Sequence, residues 1–182
     1  MINGKNVYLR MPELTDLEAI YELANIEENR DFLNMYRPLS KIEEESWIKD
    51  CTDKARIGEK YRFVVVDKKT NNVVGNCEIG HIDNIRRIAE IGITLNDKSQ
   101  NKGFGPEALK LLLKYGFMTL NLNLIEIGAI SSNDRAIHVY KDKLKFKEDA
   151  RLRQRHYKNG KYYDDVILSM TREEYDKLYS SE

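Results

Sequence analysis

A short loop with two glycines, residues 100–105 (Gln-Asn-Lys-Gly-Phe-Gly), places the strongest constraint on how this chain can fold. It lies between an apolar run typical of a strand, residues 88–95, and a longer run typical of a helix, residues 106–120. Glycine lets the backbone turn its N–H groups toward an anion, and a helix start adds unpaired N–H donors. Pro106 suits the first turn of such a helix. The stretch therefore predicts a strand–loop–helix unit able to bind a phosphate.

The remaining patterns predict one mixed α/β domain that covers residues 1–182. The expected order is a strand, two helices, three strands, a helix, a strand, a helix and two strands. Ser40, with Glu43 three residues on, predicts the start of the second helix. Asn159-Gly160 predicts a tight hairpin turn near the end of the chain. The segment 27–39 is polar and is expected to be irregular.

Composition excludes several classes of protein. Of the 182 residues, 33% are charged and 41% hydrophobic, which is typical of a globular protein. No apolar run approaches the ~20 residues that cross a bilayer, and the start lacks a signal-peptide pattern. Cys51 and Cys77, like the three histidines 81, 138 and 156, show no metal-ligand spacing. We therefore expect a cytoplasmic protein with no membrane partner and no metal, and the histidines in surface or structural roles.

The net charge is zero but unevenly distributed along the chain. Residues 13–50 carry eleven acidic and four basic side chains, and residues 141–161 carry nine basic and three acidic ones. Such segregation can create a local field. The basic residues of 151–158 alternate along a predicted strand, which favours a solvated face over a nucleic-acid site. Nucleic acid is therefore not an expected partner.

The glycine loop alone leaves several ligands open. Gly103-x-Gly105-x-x-Ala108 matches a relaxed dinucleotide fingerprint. That fingerprint normally follows the first strand of its sheet directly, whereas here four strands precede the loop and residues 96–102 intervene. A P-loop is excluded because no Gly-Lys-Ser/Thr follows. An ordinary turn at the start of a helix is the remaining alternative.

Two motifs together point to a family. Gln100-x-x-Gly103-x-Gly105 resembles the Gln/Arg-x-x-Gly-x-Gly/Ala signature of the GNAT superfamily of acyl-CoA-dependent N-acetyltransferases. The predicted helix over residues 133–144 begins with the motif Asn133-Asp-Arg-Ala-Ile-His-Val-Tyr140, which resembles that family's Asn-x-x-Ala-x-x-x-Tyr helix. The order of elements matches along essentially the whole chain. Within the superfamily, the chain is similar to the branch of ribosomal-protein N-terminal and spermidine N-acetyltransferases.

The resemblance implies a mixed, mostly antiparallel central sheet of about seven strands with about four helices. One departure is visible: the family usually ends the tyrosine helix with Leu-Gly-Phe, and here Lys145 replaces the glycine. Because lysine lacks glycine's freedom at positive φ, we expect that helix end to close differently.

The resemblance also implies a site for acetyl-CoA, with coenzyme A as product. The pyrophosphate is expected on the N–H groups of the loop (Gln100, Asn101, Lys102, Gly103, Phe104 and Gly105). The pantetheine arm is expected to pair with the backbone of the preceding strand (Ile93, Thr94 and Leu95). Lys102 either adds charge or is solvated. Asn133 either holds the cofactor or caps its helix, and both roles can hold together.

Acetyl transfer to an amine requires that an ammonium group lose a proton and that the leaving thiolate gain one. With a reference pKa near ~10.4, an alkylamine costs about 4 kcal/mol to deprotonate at neutral pH. By resemblance, Tyr140 is expected to protonate the thiolate; its alternative role is as a core aromatic. Glu90 is our candidate for the base, acting directly or through water. An ion pair of Glu90 with Arg86 or Arg87 is the alternative.

In this family the helices after the first strand line the acceptor side, which here is the acidic segment. We therefore expect carboxylates of that segment to attract a cationic amine, unless they only solvate helix faces (Glu27, Glu28, Asp31 and residues 43–45). The predicted function is transfer of an acetyl group to a polyamine such as spermidine, or to a protein or peptide N-terminus, by direct attack in a ternary complex. A non-catalytic acyl-CoA-binding or sensor protein is the alternative. A homodimer is an assembly that this interpretation allows.

Overall fold

The computed structural model describes residues 1–32 and 35–179, with the side chains of residues 31 and 32 excepted. The strands are β1 (Ile2–Asn3), β2 (Val7–Arg10), β3 (Tyr61–Asp67), β4 (Val73–Asp83), β5 (Ile88–Leu95), β6 (Leu124–Ile130), β7 (Lys147–Lys158) and β8 (Lys161–Thr171). The helices are α1 (Leu17–Ala24), α2 (Glu27–Phe32), α3 (Lys41–Arg56), α4 (Phe104–Lys114), α5 (Asp134–His138) and α6 (Arg172–Tyr179). Wider π-helical turns extend α4 over Tyr115–Thr119 and α5 over Val139–Lys143.

In the described ranges, all eight strands form one sheet in the order β1-β2-β3-β4-β5-β6-β8-β7. Every neighbouring pair is antiparallel except β5 and β6, which are parallel. A parallel pair needs a crossover connection, and α4 supplies it. The predicted mixed, mostly antiparallel sheet is confirmed. The short β1 was not predicted, and α2 lies in the segment that we expected to be irregular, so that expectation was wrong.

Both faces of the sheet are covered, which explains the continuous apolar run in β3. Val65 belongs to the larger core, where the sheet packs against α4 through side chains such as Leu109 and Leu112. Val64 and Val66 point to the opposite face and pack with Ile20 of α1 and Ile48 of α3. A strand buried on both faces loses the alternation of polar and apolar residues. Among the described helices, none is long and apolar enough to cross a membrane.

The chain enters α1 through a turn held by Asp16, which is buried. Its carboxylate accepts hydrogen bonds from both Nη atoms of Arg10, at 2.6 and 2.7 Å, and from the backbone N–H of Glu13 at 2.8 Å. Burial alone would raise the pKa of Asp16, but these hydrogen bonds outweigh it and hold the pKa below its ordinary value. The entry to α3 follows the prediction: the Ser40 N–H donates to Glu43, and the Glu43 N–H donates to the Ser40 hydroxyl.

Left-handed residues close two predicted turns. Asn159 and Gly160 have φ values of 49° and 78°, as expected for the hairpin turn between β7 and β8. Lys145 has a φ of 67°, so the end of the tyrosine helix keeps the left-handed geometry that a glycine would take there. Our expectation of a different closure was wrong; Lys145 adopts the conformation despite its steric cost.

The strands β5 and β6 separate along their length, and this separation positions the site. Their pairing covers only Ile88–Glu90 against Leu124–Glu126. Beyond that point β5 continues along β4 as far as Leu95, while β6 continues along β8 as far as Ile130. The sheet therefore opens into a wedge between the carboxyl-terminal halves of β5 and β6.

Candidate active site

A cleft of about 750 Å³ occupies this wedge. Strand β5 forms one wall, and β6 and β8 form the other. The glycine loop closes one end, and α5 with its π-helical turn covers the opening. Such a concave site at a split in a sheet is a natural position for a ligand. The predicted residues that line it are Glu90, Ile93, Thr94, Leu95, Gln100, Asn101, Gly103, Gly105, Asn133 and Tyr140.

The glycine loop has the backbone that its sequence predicted. Asn101 and Gly103 have φ values of 59° and 83°, and Gly103 is the residue at which α4 begins. The helix starts at Phe104, two residues earlier than predicted, and Pro106 lies in its first turn. Left-handed residues just before a helix can turn backbone N–H groups toward an anion.

Two of the predicted loop residues do not line the cleft. Lys102 is exposed to solvent, and Phe104 packs against the main core. Gly105 lies against β5, where an added Cβ would be 3.4 Å from Cδ1 of Leu95. The direct contribution of Phe104 to the site is therefore its backbone at the start of α4.

A chain of polar contacts joins the loop to the neighbouring helices. The guanidinium of Arg135 donates to Oε1 of Gln100, and its Nη2 lies 3.5 Å from Oε1 of Glu28. Arg135 was not predicted, although it is the third residue of the Asn133 motif. Glu28, expected at the acceptor side, instead pairs with a cation beside the glycine loop.

The backbone of β5 presents free groups to the cleft, but not all of the predicted ones. The carbonyl of Arg87 accepts from Asn123 on the β6 side, whereas the N–H of Asn96 donates to Val74 on the β4 side. Because the backbone groups of a strand alternate in direction, those of Ile91 and Ile93 point away from β4. Ile93 lies beyond the paired residues of β5 and β6, so its backbone faces the cleft. The groups of Thr94 then face β4. The carbonyl of Leu95 accepts from Asn29 of α2 at 3.4 Å.

Asn133 and Tyr140 lie at the two ends of the motif helix. Oδ1 of Asn133 accepts from the N–H of Ala136 at 3.1 Å, so the capping role is present. Tyr140 is only 7% exposed, with its ring centroid 6.5 Å from that of Phe146, and it lines the cleft. Burial raises the pKa of Tyr140 to about 12. At neutral pH its hydroxyl is therefore un-ionised and can donate a proton.

Glu90 stands at the start of the wedge. Its Oε2 lies 2.8 Å from Nδ1 of His81, which sits on a bulge of β4 with a φ of 49°. Of the two arginines in the alternative ion pair, Arg86 instead donates through Nε to Asp83 at 2.8 Å. The carboxylate of Glu90 is half-exposed and remains at the wall of the cleft.

Several polar side chains line the cleft that sequence reasoning missed. Glu78 of β4 accepts from Lys60 at 2.9 Å and from Arg62 at 3.2 Å. His156 of β7 and Asp165 of β8 also line it, with Nε2 of the histidine 3.3 Å from Oδ1 of the carboxylate. We expected His156 in a surface or structural role. No local pattern distinguishes these residues, because strand register and bulges bring them to the cleft.

The acidic segment is placed differently from the prediction. Neither Glu27 nor Glu28 lines the cleft, and the side chain of Asp31 lies outside the described residues. Glu43 and Glu45 form ion pairs with Arg37 and Lys49. Among the residues that the structure describes, no group of three or more His, Cys, Asp or Glu side chains could hold a metal ion.

The fold and the cleft agree with comparison against known proteins. Residues 6–147 match the model of a family described as the acetyltransferase (GNAT) domain. The chain therefore belongs to the GNAT family and is an acetyl-CoA-dependent N-acetyltransferase. The family prediction is confirmed. The dinucleotide-binding alternative is wrong, because its fold requires a mostly parallel sheet.

Its relatives include proteins named spermidine N-acetyltransferase. The chain is 31% identical to the spermidine N(1)-acetyltransferase of Vibrio cholerae over 92% of this chain and 93% of that protein. The crystal structure of the spermidine N-acetyltransferase of that organism with CoA and spermine has a TM-score of 0.84, at 27% identity, over 94% of this chain and 99% of that one. A dodecameric structure of the V. cholerae enzyme gives a TM-score of 0.78 at 28% identity, covering 98% of this chain and 100% of that one.

Proposed function

We propose that this chain acetylates a primary amine of a cationic acceptor, a polyamine such as spermidine in preference to a peptide N-terminus. The amine attacks the thioester directly while both substrates are bound. The observation that carries the proposal is that the glycine loop, the un-ionised Tyr140 and the carboxylates of Glu78 and Glu90 all line one cleft. We further propose that residues 1–182 act as one catalytic domain, in the cytoplasm and without a metal.

The donor end of the cleft has the groups that a CoA pyrophosphate needs. The left-handed backbone at Asn101 and Gly103 can turn N–H groups toward an anion, and the Arg135 guanidinium adds a cation beside the loop. The backbone of Ile93, which lies beyond the last paired residues of β5 and β6, can accept an extended chain as an added strand. When bound there, acetyl-CoA supplies the activated acetyl group.

The acceptor side is defined by the register of β4 and β5. Glu78 lies opposite Gly92, and Glu90 lies opposite Gly80, so both carboxylates share one face of the sheet. The stem of Lys60 fills the space above Gly80, whereas a Cβ added at Gly92 would find its nearest neighbour, Glu78 Cγ, at 3.9 Å. The open space above Gly92, between the carboxylates of Glu78 and Glu90, favours a compact cationic group such as an ammonium.

Glu126 strengthens this electrostatic argument. It lies directly beside Glu90 in the parallel pairing of β5 and β6, on the same face. Like charges at neighbouring positions of a sheet repel each other. A bound polyamine would relieve that repulsion. The Vibrio relative named for spermidine supports the same acceptor class.

Each predicted catalytic residue has a proposed role. Tyr140 donates its hydroxyl proton to the leaving thiolate. Glu90 holds the ammonium of the acceptor, and its role as the base stays a prediction. The dodecameric Vibrio relative supports a homo-oligomer, of which the predicted homodimer is the smallest form.

An acceptor screen tests the function. The purified chain is given acetyl-CoA and, separately, spermidine, spermine, a peptide with a free N-terminus, an aminoglycoside and a neutral amine, and CoA release is recorded. We expect the highest kcat/KM with spermidine or spermine, decreasing as salt screens the carboxylates. Glu78→Gln is the charge control and should raise the KM for polyamines selectively. Turnover of neutral amines alone contradicts the proposal, and tight acetyl-CoA binding without turnover of any amine supports the sensor alternative.

A further inference from the structure

The wall of the cleft opposite Glu90 carries a second histidine–carboxylate pair, which no sequence motif predicted. We propose that His156, oriented by Asp165, takes the proton from the acceptor ammonium. This inference rests on the proposed function, names its base, and leaves Glu90 the role of holding the ammonium. The supporting geometry is the 3.3 Å contact between Nε2 of His156 and Oδ1 of Asp165, with both side chains lining the cleft.

The pair of His156 and Asp165 is more buried than the pair of His81 and Glu90 on the other wall. The side chains of His156 and Asp165 are 13% and 24% exposed, whereas those of His81 and Glu90 are 75% and 48% exposed. A proton acceptor screened from bulk water exchanges its proton with the bound substrate more selectively than an exposed one. His156 therefore combines access to the cleft with shelter from solvent.

An irregularity in the hairpin places His156 at this point. Leu152 lies opposite Asp165, and His156 lies opposite Tyr163, so four steps along β7 correspond to two along β8. The two additional residues advance His156 by about 7 Å toward Asp165, compared with a regular ladder at ~3.4 Å per residue. Within this irregular stretch, Gln154 adopts a left-handed conformation with a φ of 55°, and its backbone N–H donates to Oδ1 of Asp164 at 3.1 Å. Bulges commonly re-aim a side chain beside an active site.

Strand pairing places Asp165 beside the β6 wall of the cleft. It lies opposite Ile130 in the pairing of β6 and β8, and a Cβ added at Gly128 would be 3.7 Å from its Oδ1. Gly128 therefore leaves open the space between this carboxylate and the cleft. A carboxylate in contact with one nitrogen of an imidazole orients the ring and stabilises its protonated form.

The chemistry favours an imidazole over a carboxylate as the base. A histidine has a reference pKa near ~6.5 and a glutamate near ~4.3, and a base is most effective when its pKa is close to the working pH. The ammonium transfers one proton to the imidazole of His156. The resulting amine forms the C–N bond to the acetyl carbon as the C–S bond breaks. The second proton of the nitrogen reaches the thiol sulfur by way of the Tyr140 hydroxyl. The products are the acetamide, CoA with a free thiol, and protonated His156.

Other charged and titratable groups also face the cleft. The groups that line it from the packed elements, besides Asp165, are Glu78, Glu90, Arg135, His138, Tyr140 and Lys143. Tyr163 is the residue opposite His156 on β8. A pH profile must therefore be compared between variants that differ at one of these groups only.

The test compares His156→Gln, Asp165→Asn and Glu90→Gln, using spermidine and acetyl-CoA between pH 6 and 10. For His156→Gln we expect kcat/KM to fall about 100-fold or more at pH 7 and to recover with rising pH, as the free amine becomes available. The affinity for acetyl-CoA, measured by calorimetry, should stay within about twofold, as expected for a residue outside the loop. Asp165→Asn should give a smaller loss with the same recovery. Glu90→Gln should mainly raise the KM for spermidine.

A measurement on the wild type covers the case in which a variant fails to fold. The chain has only three histidines, so imidazole NMR signals can be assigned with His81→Gln and His138→Gln. Titration with spermidine in the presence of CoA should move the His156 signals most. An unchanged pH profile in His156→Gln, an equal loss of its activity at every pH, or a silent His156 signal would overturn the assignment. Absence of CoA release by the wild type with every amine would instead refute the proposed function, and this assignment with it.

Discussion

Replacing Tyr140 by phenylalanine isolates the hydroxyl group, because the ring stays in place. Tyr140 is 7% exposed and its pKa is raised to about 12, so essentially every molecule carries the proton at pH 7.5. A thiol has a reference pKa near ~8.5, so complete transfer from this tyrosine to a solvated thiolate would be uphill by about 5 kcal/mol. The burial that disfavours the phenolate would also disfavour a thiolate beside Tyr140, which offsets much of that difference.

We therefore expect the rate contribution of Tyr140 to lie at the lower end of the range usual for a general acid. The kcat of Tyr140→Phe should fall about 100-fold, which corresponds to about 2.7 kcal/mol of transition-state stabilisation. The KM for the amine and the affinity for acetyl-CoA should be nearly unchanged. Steady-state CoA release and calorimetry measure the three quantities. A kcat within about threefold of the wild type would refute the acid role and leave Tyr140 as a core aromatic.

The same substitution also predicts a change in stability at alkaline pH. The pKa of Tyr140 is higher in the folded state than the reference value of about 10, so stability is fully present below pH 10 and is lost as the pH rises toward 12. The loss reaches about 2.7 kcal/mol at most. Relative to Tyr140→Phe, the wild type should lose stability over this window in urea unfolding. Parallel curves for the two proteins would contradict the burial argument.

Three further predictions concern the loop, the entry to α1 and the thiols. Gly103→Ala should lower the free energy of unfolding in urea by about 1 kcal/mol, because a φ of 83° is strained for alanine. The cause is the backbone alone, since no atom lies within 4 Å of the added Cβ. Calorimetry should also show weaker acetyl-CoA binding. Asp16→Asn should cost about 2–3 kcal/mol at pH 7. The difference should shrink as the pH falls from ~4 through the folded-state pKa of Asp16, which is lowered. Burial raises the pKa of the Cys51 thiol to about 11 and that of Cys77 still further, so a disulfide reagent should modify neither thiol in the native protein at pH 8 and both after unfolding.

The parts of the site that were predictable are those encoded locally. The spacing of Gln100, Gly103 and Gly105 specifies a loop conformation, because only particular residues tolerate the backbone that it needs. Asn133 and Tyr140 lie seven positions apart on one helical segment, so their relation is fixed by helix geometry. These two motifs are sufficient to indicate the family and the donor side of the cleft.

Local signals were also misleading where tertiary contacts decide. The segment that contains α2 lacks apolar periodicity, yet buried Asn29 ties α2 to Leu95 through its side-chain amide. Glu28 belongs to an acidic segment, which suggested an acceptor site, but Arg135 from 107 residues away neutralises it. Long-range partners of this kind leave no trace in a single sequence.

The sequence by itself determined the strands other than β1, the anion-binding loop and the tyrosine helix, because each depends on the preferences of adjacent residues. The tertiary structure alone decided how far β5 and β6 stay paired, and therefore where the cleft opens. It also decided which side chains enter that cleft: Glu78 through strand register, and His156 through two additional residues in β7. Register is set by the packing of whole strands, so the acceptor side of this enzyme becomes visible only when the sheet is assembled.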